Sequence, residues 1–271
     1  MSSPSRSRVV LLTVAGLVLA ACSDGPTGPS TPSTPDVAAL LGEMSPASVG
    51  DAAALASPIA GISRTTIPGV DPGKCAYSAA SGFFECPTVT VNGLTFTRKF
   101  RLIDAAGNSQ SKPDGQTSAI QTIESVDGTL TTTVSGAVPS SSQLTIHGTS
   151  DHTLSGIRAD QHTLNGTSTH NVTGTVRFGD VEMPINSTVT ERITNLLLPN
   201  PRAGRRWPKG LITIDEVSGP IVGDPSANIS SHTEITFDGT SIVTVKVTYS
   251  FGTITCTFDL EKQAPVGQSC S

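Results

Sequence analysis

The chain has 271 residues, 36% hydrophobic and only 4% aromatic, and its 17 basic against 22 acidic side chains leave a net charge of −5 at pH 7. An acidic balance argues against a nucleic-acid partner. A single Trp among so few aromatics cannot build the aromatic girdles of a membrane-spanning β-barrel.

Residues 1–21 have the layout of an export signal: Arg6 and Arg8 as a basic start, then an apolar run from Val9 to Ala21 ending in small residues. The run is too short for a spanning helix, which needs about 20 apolar residues. Its last positions, Leu19-Ala20-Ala21-Cys22, resemble the lipobox of bacterial lipoproteins. The resemblance covers the first 22 residues. It implies cleavage before Cys22, diacylation of the thiol and acylation of the new amino group. Covalent lipid on Cys22 is then the one non-protein group expected, and several acyl chains hold a protein to a membrane where one chain binds only reversibly. Residues 22–35 continue as a Pro-, Gly-, Ser- and Thr-rich run that cannot bury a core and reads as a solvated spacer. Ser23 directly after the cysteine resembles the outer-membrane default of lipoprotein sorting, and Asp24 falls one place beyond the position of a retention signal. The expected address is the bacterial cell envelope, at the outer membrane.

Five cysteines is an odd number for an exported chain. The lipobox takes Cys22 and leaves Cys75, Cys86, Cys256 and Cys270, in a compartment that permits disulfides. Of the three connectivities, Cys75–Cys86 with Cys256–Cys270 closes two short local loops, and Ser81-Gly82 supplies a turn inside the first. No C-x-x-C pair is present, and no zinc site is expected.

In residues 36–58, Val37, Leu40, Leu41 and Met44 recur at helical spacing and predict one short N-terminal helix. Residues 59–271 read as a single antiparallel β domain. Asn92-Gly93 is a two-residue hairpin turn leading into a strand with Leu94, Phe96, Phe100 and Leu102 on one face and Thr95, Thr97, Lys99 and Arg101 on the other. Asp127-Gly128 is expected to turn between Thr117–Val126 and Thr129–Ser135, and Gly179-Asp180 between Val172–Phe178 and Val181–Thr190. Asp238-Gly239 opens a strand with Val243, Val245, Val247, Tyr249 and Phe251 inward. Arms of about ten residues with one apolar face favour a strongly curved sheet, as a half-barrel, a closed barrel or a two-sheet β-sandwich. At the level of fold alone, such a lipidated all-β domain loosely resembles the lipoprotein-carrier and lipocalin-like proteins of the envelope.

The candidate ligand-binding residues fall in two groups. His152-Thr153-Leu154-Ser155-Gly156 and His162-Thr163-Leu164-Asn165-Gly166 form a short repeat, followed by His170-Asn171-Val172. Each His precedes an aliphatic residue by two places, which puts it on the apolar face of a regular strand. His147 and His232 fall on the opposite parity. A shared metal needs rings converging within about 2 Å of one point. A hairpin turning at Arg158-Ala159-Asp160 would hold His152 and His162 out of register, and the plainer reading is polar residues in a Thr-rich edge region. The second group is Arg205, Arg206 and Trp207, inside the Pro-rich run 199–209. Exposed, they suit a polyanion such as a surface glycan or lipid head group; buried, the Trp caps the sheet. Ser109-Gln110-Ser111-Lys112 fits S-x-x-K without the S-D-N or K-T-G elements of the enzymes that use it. The adjacent Ser150, Asp151 and His152 cannot converge as a triad from one strand.

The sequence therefore predicts no catalytic residues and no metal. It points to a membrane-anchored envelope lipoprotein that binds a hydrophobic or amphipathic ligand, or a partner protein. The rival expectations are a metal-dependent or hydrolytic enzyme built on His152, His162 and His170, and a purely structural surface lipoprotein.

Overall fold

Asn92 and Gly93 both adopt positive φ, 52° and 84°, the backbone that the primed turns of tight hairpins require. They join β3 (Val89–Val91) to β4 (Leu94–Asp104). The structure, a computed structural model, describes residues 72–134, 140–159, 161–199, 204, 206–219, 228–261 and, as backbone, 264–270. The export signal, Cys22, the spacer and the expected helix at 36–58 lie outside the described residues.

After a 3-10 turn at Pro72–Lys74, everything regular among the described residues is strand. β1 (Ala76–Ser78) and β2 (Phe83–Glu85) precede β3, and β5 (Ser109–Gln110) follows β4. Four long arms come next: β6 (Thr117–Val134), β7 (Ser140–Ser155), β8 (Thr163–Phe178) and β9 (Val181–Leu197). β10 (Lys209–Gly219), β11 (Ile229–Asp238), β12 (Ile242–Tyr249), β13 (Gly252–Asp259) and β14 (Ala264–Cys270) complete one antiparallel sheet. Its order is β1-β2-β4-β6-β7-β8-β9-β10-β11-β12-β13-β14, with β3 and β5 on β4. The two ends of this order do not pair, so the sheet is open and the closed barrel is excluded.

The apolar face of this sheet has no helix among the described residues to cover it. One core nevertheless runs from Phe100 on β4 through Ile120, Leu154, Leu164, Ile193, Ile212 and Ile235 to Val243 on β12. Phe84, Cys75 and Cys86 from one end of the sheet pack against it, and so do Val247, Phe258 and Leu260 from the other. Residues from both ends meet one core because the sheet curls over its own apolar face. A second cluster, Leu94, Phe96, Leu144, Ile146 and Val172, lies where the long arms extend past the shorter strands.

The Cys75–Cys86 disulfide closes the β1–β2 hairpin. Phe84 stacks on Phe100 with ring centroids 4.8 Å apart, docking that hairpin on β4. At the far end Cys256 is disulfide-bonded and stands directly opposite Cys270 in the β13–β14 pairing.

Two expectations are corrected. Asp127-Gly128 makes no hairpin, because β6 runs through it without a break. Gly128 serves a close backbone approach: a Cβ there would lie 2.2 Å from the carbonyl oxygen of Gly93, which accepts a hydrogen bond from Thr129 N. Phe251 does not point inward. The chain has already turned after Tyr249, and Phe251 stands 77% exposed, stacked on Tyr249 at 5.0 Å.

Candidate functional site

β7 and β8 lie in the middle of the sheet, not at an edge. Their pairing brings together two copies of one pattern, His147-Gly-Thr-Ser-Asp-His-Thr-Leu-Ser-Gly156 and Asn165-Gly-Thr-Ser-Thr-His-Asn-Val-Thr-Gly174. Ser150 faces Ser168, His152 faces Gly166, and Gly148 faces His170. On the outer flanks Glu124 of β6 faces Ser150, and Glu191 of β9 faces Ser168. A local two-fold axis between the serines thus relates a Glu-Ser-His group on β6 and β7 to a second one on β8 and β9.

All these side chains point to the inner face, between the two apolar clusters, where His152, His170, Ser168 and Glu191 are buried. Each imidazole lies over the glycine opposite it. An added Cβ on Gly166 would come within 2.2 Å of His152 Cδ2, and one on Gly148 within 2.2 Å of His170 Nδ1. At the β4 side of the row, Arg98 forms a largely sequestered ion pair with Glu124. Thr122, opposite His152, and Thr233 complete a buried polar belt across the core.

This belt constrains what chemistry is open to it. His152 and His170 stand four positions apart along paired strands, about 13 Å of backbone. With each ring lying over its own opposite glycine, the two imidazoles do not converge on one point as ligands of a shared metal must. His162 lies before β8 begins, so the three imidazoles do not line up on one strand face. Among the described residues no group of three or more His, Cys, Asp or Glu is placed to hold a metal ion. Asp151 points away from Ser150 and His152, to the outer face. Around both serines the ladders continue on either side, so the amides there are committed to the sheet and offer an oxyanion nothing.

The outer face is mostly polar, with apolar side chains such as Phe83, Ile123, Leu211 and Val217 interspersed. Thr97, Ser125, Thr149, Thr169 and Thr190 form one row across five strands. His147 pairs with Asp127, and His232 Nδ1 lies 2.6 Å from Asp215 Oδ1, both on this face as their parity predicts.

Below the threonine row is an open cleft of about 400 Å³ over β6 to β9, bordered by Gln121, Asp151, Asn165, Thr167 and Arg192. Irregular backbone shapes it. The β8–β9 register shifts between Leu164 and Gly166, and Asn195 takes positive φ with its N–H donating 2.7 Å to Asn165 Oδ1. Bulges of this kind re-aim side chains beside functional sites. Arg101 Nε donates to Gln121 Oε1 and Gln121 Nε2 donates to Asp151 Oδ1, both at 2.6 Å, which holds the carboxylate upright. No carboxylate among the described residues pairs with Arg192.

In the Pro-rich loop, Arg206 stacks over Trp207 with its guanidinium carbon 5.3 Å from the ring centroid, and it meets Glu261 at 3.1 Å. Trp207 is half-buried and Pro208 buried, so the loop is tied down at the end of the sheet. Arg205 lies outside the described residues. The S-x-x-K residues sit on short β5 and the loop after it.

The turn at Ala105 to Asn108 hangs on Asp104. Its carboxylate accepts from Asn108 Nδ2 at 3.0 Å, Asn108 N at 2.8 Å and Ala106 N at 2.9 Å. The side-chain bond from Asn108, followed by its backbone bond, holds the Asp104 carboxyl below the ordinary carboxylate range. A carboxylate whose folded pKa is depressed stabilises the fold above its unfolded pKa, and this stabilisation is lost as pH falls through the folded value. Asp104→Ala is therefore expected to melt below the wild type at pH 7, with the gap closing as the pH drops beneath the carboxylate range. Thermal melts of the two proteins across an acid series check this.

Comparison with known protein families, with curated proteins and with solved structures gives no match to this chain.

Proposed function

We propose that the protein is a lipid-tethered binding protein of the bacterial cell envelope, anchored through Cys22, that meets its ligand or partner on the outer face of the sheet and performs no chemistry of its own. The observation that carries this reading is the filled interior. Ile120, Leu154, Leu196, Ile212, Ile235 and Val243 have no accessible surface at all. A side chain with none touches no void large enough for water, so an acyl chain finds no room among them. This favours partner or surface-ligand binding over the carriage of a hydrophobic molecule inside the sheet. The leader residues Leu19 to Cys22 support the tether, and the polar cleft offers the place for recognition.

Native mass spectrometry of the full protein, extracted from its own membrane in mild detergent, tests the reading. The expected mass is that of the cleaved polypeptide plus its acyl chains. A stoichiometric apolar molecule released on unfolding overturns outer-face binding. Cys22→Ser is expected to move the folded protein from the membrane to the soluble fraction, and retention at the membrane overturns the tether.

A further inference from the structure

Resting on that reading, we propose that the cleft over β6 to β9 is a binding site for an acidic oligosaccharide, a chain of sugars bearing carboxylates. The first support is the chemistry of the cleft. Arg192 presents a planar guanidinium with no carboxylate partner among the described residues, and such a group matches a carboxylate in bidentate fashion. Asp151 stands in the same row, with Thr167 between the two. Its orientation is set in advance by Gln121 and Arg101. A carboxylate held in this way accepts hydrogen bonds from hydroxyl groups, and an anion in the ligand would have to lie away from it. The Asn165 amide and the Thr167 hydroxyl complete a set suited to a ligand rich in hydroxyl groups with a separate acid.

The second support is the distribution of charge along the cleft. Lys99 and Arg101 on β4 lie over the Phe83 ring, at 4.9 and 5.2 Å from its centroid, and make the β4 side cationic. Arg192 makes the β9 side cationic. Within the cleft, the strands between them present the Gln121 and Asn165 amides, the Thr153 and Thr167 hydroxyls and the carboxylate of Asp151, while Asp127 of β6 is paired with His147 and Glu85 stands opposite Lys99. Strand separation of about 4.8 Å puts β4 and β9 about 19 Å apart along the sheet surface. An extended glycan of several sugars crossing the strands would meet a cation at either end and neutral donors and acceptors between.

The probes are tetragalacturonate and its methyl ester, which share every hydroxyl and differ in charge. Each is titrated into the Cys22→Ser full chain and followed by calorimetry at low salt. The acid is expected to bind at least about tenfold more tightly than the ester, in line with the strength of a charge-assisted pair. Arg192→Ala is expected to reduce that preference to the part that Lys99 and Arg101 supply, Arg192→Lys to retain more of it, and Asp151→Ala to weaken acid and ester alike. Both positions changed are exposed, and unchanged melting temperatures will confirm intact folding. Equal affinity for acid and ester, undiminished binding of the acid by Arg192→Ala, or no saturable binding of either probe overturns the assignment. The outer-face reading stands or falls separately, on the mass spectrum of the extracted protein.

Discussion

Gly166→Ala is expected to destabilise the domain by about 3 kcal/mol or more, at the upper end of what overpacking costs. The new methyl would sit 2.2 Å from His152 Cδ2, 2.4 Å from the carbonyl oxygen of Asp151 and 2.8 Å from His152 Cα. Two of these three atoms are backbone of β7, which is held on its other side by β6. The strand cannot retreat without parting a ladder. Removing the ring in a His152→Ala background should therefore recover only a small part of the loss. Gly148 gives the contrasting case. The three atoms nearest its added methyl would all be side-chain atoms, Nδ1 and Cε1 of His170 and Cγ1 of Val126. Gly148→Ala should accordingly be rescued in large part by His170→Ala. Urea unfolding of the two single variants and the two pairs, compared at constant m-value, separates the cases. Equal rescue in both pairs would show that ring collisions alone set the cost.

The second large effect is expected from Leu154→Ala, at about 2–5 kcal/mol. Leu154 is flanked in register by Ile120 and Leu164, and Leu154 and Ile120 have no accessible surface. Rigid neighbours on both sides cannot collapse into the space, so the cavity remains and adds to the lost transfer energy. The measurement also bears on function. A sheet lined for a ligand loses little when one lining side chain is shortened, because the space is already there. A loss below about 1 kcal/mol would contradict the filled interior, since Leu→Ala in a packed core costs at least about 2 kcal/mol.

Much of the architecture was legible wherever the determinants are local. The period-2 pattern from Leu94 to Leu102 identified inner and outer faces of β4, and the pairs Asn92-Gly93 and Gly179-Asp180 marked real turns because two-residue hairpins need those residue types. Asp127-Gly128 carries the same signature for a different cause. Its glycine is required by a neighbouring backbone that approaches from β3 and β4, and a linear pattern does not reveal that neighbour. His152 and His170 fall on the inner face as parity predicts, and the strand pairing follows a second repeat that overlaps the His-Thr-Leu one. Aligning His-Thr-Leu with His-Thr-Leu pairs His152 with His162, whereas aligning Gly-Thr-Ser-x-His pairs it with His170 and exposes the two-fold relation. The cleft lay beyond linear reading, since Gln121, Asp151, Asn165 and Arg192 come from four strands and meet through register and one bulge.

From β7 onward each strand pairs with the one made immediately before it, through to β14, with no crossover. Contacts that are near in sequence close with little loss of chain entropy, and no strand has to wait for a distant partner. The sheet can therefore be laid down like courses of brick, in the order in which the chain is synthesised. At every stage one edge of the structure is growing, and the segment that pairs with it is the next to arrive.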